Sequence, residues 1–216
     1  KSLMPTKEQL EKIGITSVKP LSVEFLRDVI ISKLLEENED GSLWFENLHS
    51  PDVSAYIFQK GKINEICLYD FSKDLASLFM DYEDTRPSSL SSFLEKSLWQ
   101  KKLYEEIFHC TVDDIDALSV NAPLVSLSEK SSPCITKGSV AYLSLFQLFL
   151  LNKKLNEGKL VFNERDLIQN LFVFGFSGMG EIYRNILLEF SKERNLHVFL
   201  QTSSNIKLSC KIADEK

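Results

Sequence analysis

Leu171-Phe172-Val173-Phe174-Gly175-Phe176-Ser177-Gly178-Met179-Gly180-Glu181 is followed by Ile182, Tyr183, Ile186, Leu187 and Phe190, then by Leu196-His197-Val198-Phe199-Leu200, so residues 171–200 change hydrophobic period twice. The continuous apolar run 171–176 predicts a buried parallel strand. The helical spacing after it predicts a crossover helix, and 196–200 a second buried strand. Together they make one βαβ unit, whose crossover is right-handed and whose ligand-facing edge lies at the strand C-termini. The glycines between strand and helix do not form a dinucleotide fingerprint. They read G-x-x-G-x-G instead of G-x-G-x-x-G, and Glu181 places a negative charge where a pyrophosphate would sit.

The same logic disfavours the other chemistries of parallel sheets. A phosphate loop needs G-x-x-x-x-G-K-[ST], but the Gly-Lys pairs, Gly61-Lys62 and Gly158-Lys159, are followed by Ile63 and Leu160. Magnesium at a strand end needs carboxylates, and these strand ends offer Ser177 and Gln201-Thr202-Ser203. Cys67, Cys110, Cys134 and Cys210 have no C-x-x-C spacing, which points to a reducing compartment, and His49 and His109 lie outside metal-ligand spacing. His197, inside an apolar strand, reads as structural. The expectation is a chain with no catalytic residue, no metal site and no cofactor.

Upstream, the chain is helical. Val23, Phe25, Leu26, Val29, Ile30, Leu34 and Leu35 predict a first helix, which ends before Gly41. Leu68, Phe71, Leu75, Leu78, Phe79 and Tyr82 form the clearest amphipathic stripe, with Asp70, Lys73, Asp74, Ser77 and Asp81 opposite. Arg86-Pro87-Ser88-Ser89 stops that helix and opens another over about 90–109, in which Trp99 reads as core. Residues 111–137, with Pro123, Pro133 and many serines, read as loop and as the internal seam, and a further helix is expected over about 140–155. The fold class is α/β and mostly helical, with a mainly helical part over 1–137 and a helix plus βαβ part over 138–216.

With 44% hydrophobic and 26% charged residues, the 216-residue chain has the composition of a folded protein. The most apolar run, Tyr142 to Leu151, is too short to span a bilayer, so no membrane is expected. The net charge is −6, with all the acidic excess in the first half. A free-standing DNA-binding module is usually basic, but an acidic balance is compatible with one wall of a channel.

Three blocks in order carry a family resemblance: Leu68-Tyr69-Asp70-Phe71-Ser72-Lys73-Asp74-Leu75-Ala76-Ser77-Leu78-Phe79-Met80-Asp81-Tyr82 with Arg86-Pro87, then Trp99-Gln100-Lys101-Lys102-Leu103-Tyr104, then Leu171 to Leu200. Over residues 60–205 the chain resembles the gamma subunit of exodeoxyribonuclease V, the RecC family. The resemblance implies an inactive superfamily-1 helicase fold, in a bacterial, cytoplasmic complex that repairs double-strand breaks by recombination. It also implies the beta and alpha subunits as partners, single-stranded DNA within the complex, and a strand-contacting corner at Leu78, Asp81, Tyr82 and Arg86. Ser77 and Met80 stand where the family has acidic residues, and Tyr104-Glu105 where it has Trp-Arg. The resemblance therefore implies the scaffold more strongly than the reading of one hotspot sequence. Whole members are several times longer, so the chain reads as an internal fragment. The competing reading is a stand-alone helical adaptor with a Rossmann-like end.

Overall fold

The computed structural model describes residues 3–109, 135–162, 169–174 and 179–199. Thr6 opens α1 (Lys7–Lys12) with a capping box, its hydroxyl accepting from the Gln9 backbone while the Gln9 side chain accepts from Thr6 N–H. Strand β1 (Ser17–Pro20) follows, then α2 (Val23–Leu34). A 3₁₀ turn at Trp44–Leu48 leads to α3 (Pro51–Ile57) and to a hairpin of β2 (Phe58–Gln59) and β3 (Lys62–Ile63). Lys60 and Gly61, at φ 51° and 79°, make its two-residue turn, so the Gly61-Lys62 pair is hairpin chemistry.

The long amphipathic helix is α4 (Glu65–Thr85), extending the expected 68–82 by three residues at each end, with the Asn64 side chain capping Ile66 and Cys67 N–H. Its buried stripe is Leu68, Ser72, Leu75, Ala76, Phe79 and Glu83, while Phe71, Leu78 and Tyr82 flank it partly buried. The helix expected over 90–109 is two helices, α5 (Leu90–Glu95) and α6 (Leu98–Phe108), because Ser97 is extended at φ −134°, ψ 90°. Trp99 packs partly buried against the core, its ring 5.8 Å from that of Phe71.

A second correction concerns residues 140–155. Val140–Leu143 is β5, not helix, and α7 (Leu145–Leu155) begins only after Ser144, whose hydroxyl caps Gln147 N–H. Tertiary pairing overrides helical periodicity here. β5 pairs in parallel with β1, Ser17 opposite Val140 through Pro20 opposite Leu143, and antiparallel with β4 (Ile135–Lys137). Pro20, without an N–H to donate, sits on the edge strand of this β1-β5-β4 sheet. β4 also falls in the segment expected to be loop, the rest of which, 110–134, lies outside the described residues.

The βαβ unit is present: β6 (Asn170–Phe174), α8 (Glu181–Glu193) and β7 (Asn195–Phe199), the strands parallel with Leu171 opposite Leu196. The turn at 175–178 and the strand end at Leu200 lie outside the described residues. The strands are not buried on both faces as expected. Leu171 and Val173 face the helices, but Phe172, Phe174 and Phe199 are 53%, 62% and 50% exposed and stack in a row with His197. His197 is therefore an exposed member of an aromatic face.

One main core joins α2, α4, α6, α7 and the start of α8, with Leu26, Ile30, Phe79, Leu103 and Ile182 fully buried in it. Asn152 on α7 ties the segments at Leu3 and Val161 to this body by donating to Leu3 O and Val161 O, both at 2.8 Å.

Candidate nucleic-acid interface

The end of α4 is set by local chemistry. Thr85 Oγ1 donates to Asp81 O at 2.6 Å, and Arg86 N to Tyr82 O at 3.1 Å. Pro87 forces Arg86 out of the helical region, to φ −145°, ψ 52°. Pro87–Ser89 form a 3₁₀ turn, and α5 leaves in a new direction.

The i, i+3, i+4 spacing puts Leu78, Asp81 and Tyr82 on one face of α4, and Arg86 follows at its C-cap. Leu78 and Tyr82 are half-buried, Asp81 and Arg86 exposed. Neither Asp81 nor Arg86 belongs to an ion pair among the described residues. The corner adds what the sequence did not announce. Tyr82 stacks on Phe93 of α5, centroids 5.1 Å apart and planes 13° from parallel, and Lys96 Nζ lies 5.6 Å from the Phe93 centroid. One corner thus presents an aromatic stack, two cations and one carboxylate. Phe93 and Lys96 escape a sequence reading because only the fold-back after Pro87 brings them beside Tyr82.

The α8 N-terminus supports the corner from behind. Glu181 Oε2 accepts from Ser88 Oγ at 2.7 Å and from Ser88 N at 3.3 Å. Gly180 caps α8 so closely to α4 that a Cβ there would lie 2.5 Å from Asp84 O. Glu181, read as repelling a pyrophosphate, thus serves as an anchor for the Arg-Pro corner. The carboxyl of Asp84, partly buried there, is pushed up by desolvation and by Asp81.

Beneath the corner lies a polar knot. Glu83 is fully buried, and its Oε1 accepts from Tyr104 Oη of α6 at 2.5 Å and from Gln147 Nε2 of α7 at 2.8 Å. Among the described residues its Oε2 has no hydrogen-bond partner. Desolvation pushes the Glu83 carboxyl up to about 7, against the opposing pull of the Ser144 and Tyr104 hydroxyls and the Gln147 amide. A charged residue on the core side of a stripe breaks the amphipathic pattern, and periodicity alone gives no reason to single it out.

Among the described residues no three His, Cys, Asp or Glu side chains gather as a metal site, and no helix is long and apolar enough to cross a membrane. The family model described as RecC, N-terminal domain, matches residues 7–214. No curated protein and no solved structure matches the chain.

Proposed function

The chain belongs to the RecC family through its N-terminal domain, which implies a place in a multi-subunit RecBCD complex, and from that premise we propose that it is a non-catalytic scaffold that lines a DNA channel. It serves double-strand-break repair as part of an exodeoxyribonuclease V, against the beta and alpha subunits, and keeps the helicase-like fold without the helicase chemistry. The corner of Leu78, Asp81, Tyr82 and Arg86 touches the single strand. The observation that carries this reading is the stack of Tyr82 on Phe93, with Lys96 beside that ring, at the end of the helix that carries Leu78 and Asp81 and is capped by Arg86. Aromatic stacks accept bases of any sequence, cations hold phosphates, and a carboxylate accepts from base amino groups.

In the assembled complex, Arg86→Ala is expected to alter processing of duplex ends, or the response to a hotspot sequence, while leaving thermal stability nearly unchanged. Unaltered processing by Arg86→Ala and Tyr82→Ala together would contradict the assignment. The purified chain is expected to show no magnesium-dependent ATP turnover, since its sequence lacks a phosphate loop. Turnover that survives chromatography and is abolished by mutating this chain would overturn the non-catalytic reading. A second reading, a protein-interaction adaptor, draws on the half-exposed aromatic face of β6 and β7. It gains if both corner variants process DNA normally while Phe172→Ser weakens assembly.

A further inference from the structure

Glu83 lies one residue from Tyr82 and three from Arg86, but it points the other way, into the junction of three helices. We propose that Glu83 is a positioning residue for the strand-contacting corner: its carboxyl group clamps the last turn of α4 to Tyr104 of α6 and Gln147 of α7, and so fixes where Asp81, Tyr82 and Arg86 face. The inference rests on the reading of that corner as a DNA contact.

Both donors converge on Oε1, which then acts as the carbonyl oxygen of a neutral carboxylic acid, while Oε2, unpartnered, carries the proton. A neutral Glu83 leaves that hydroxyl without an acceptor among the described residues, which in a site without water-exposed surface costs less than a full negative charge would. The groups that face it are Asp84 from its own helix, the Tyr104 phenol from α6, and the neutral Gln147 and Ser144 from α7. The Tyr104 ring is itself wedged between Phe79, at 5.3 Å, and Phe108, at 4.4 Å, so the clamp is anchored in the core rather than in a mobile side chain. Ionisation of Glu83 places a negative charge beside Asp84 in this core, with no cation among the groups that face it. The last turn of α4 then relaxes away from α6 and α7, and the corner loses its geometry.

The test is photo-cross-linking of a forked duplex, carrying a photoreactive thymidine in its single-stranded arm, to this chain within the full complex. Wild type is expected to lose about three- to tenfold of its cross-linking between about pH 6 and about pH 9, the factor that one lost hydrogen bond supports. Glu83→Gln, which keeps the Oε1 acceptor and cannot ionise, is expected to stay at the low-pH level throughout, and Tyr104→Phe to be reduced at every pH. A pH fall in Glu83→Gln equal to wild type, or a Tyr104→Phe variant that cross-links like wild type, would overturn the proposal. Arg86→Ala separates this failure from that of the corner itself. If Arg86→Ala cross-links normally, the DNA-contact reading falls. If it is impaired while the Glu83 and Tyr104 variants match wild type at every pH, the contact stands and the positioning role falls.

Discussion

At the scale of single residues, Glu83 also makes folding depend on pH. Its carboxyl lies near 4.5 in the unfolded chain and about 7 in the folded one, so the folded state binds the proton more tightly. Its contribution is fully present below pH 4.5 and is lost as pH rises through about 7, at a cost on the order of 3 kcal/mol in alkaline solution. Chemical denaturation at a series of pH values should show wild type losing stability between about pH 4.5 and about pH 7 and levelling off above that, with the loss largely absent in Glu83→Gln; parallel curves would refute it. Leu75 and Arg86 separate packing from contact. Leu75→Ala empties a site only 4% exposed and should cost ~2–5 kcal/mol, whereas Arg86→Ala, at an exposed position, should leave unfolding nearly unchanged. Equal losses in the two variants would make Arg86 structural. The four corner residues are named by the family resemblance; periodicity by itself gives only the apolar stripe with Leu78 and Tyr82 and the opposite side with Asp81. Their partners are not legible in the sequence, since Phe93 reaches Tyr82 only through the Pro87 corner, and no periodicity flags a charge that folds inward.

At the scale of elements, the contact between α4 and α8 has a single point of closest approach. Gly180→Ala would drive a methyl group into Asp84 O, a backbone atom that cannot swing aside, and should destabilise the chain by about 1–3 kcal/mol. Ser88→Ala should cost less, about 0.5–1.5 kcal/mol, because it removes one hydrogen bond at an exposed site. A Gly180→Ala variant with wild-type unfolding would show that α8 does not brace the corner. The elements that a sequence reading recovers, α2, α4 and the βαβ unit, have periods set by one face meeting one core. Val140–Leu143 misleads because its parallel neighbour β1 comes from over a hundred residues upstream, while its antiparallel neighbour β4 lies in a segment that reads as loop. In β6 and β7 the apolar run correctly signals a strand, but a run cannot say which face is covered, and Phe172 and Phe174 are half exposed.

At the scale of the molecule, the parallel β1–β5 pairing and the Asn152 bonds to Leu3 and Val161 make the first residues part of the same body as α7. Truncation that removes β1 strips the three-stranded sheet of an edge strand and should cost more stability than loss of a frayed terminus would. The net charge of −6 means that any hold on DNA depends on local placement rather than on bulk attraction. The most direct test of the DNA-contact account is therefore a map of where single-stranded DNA touches this chain in the assembled complex. Cross-linking a photoreactive single strand and sequencing the attached peptides should place contacts between Leu78 and Lys96, diminished by Arg86→Ala. Cross-links confined to other parts of the chain, or a pattern between Leu78 and Lys96 that Arg86→Ala leaves unaltered, would contradict it.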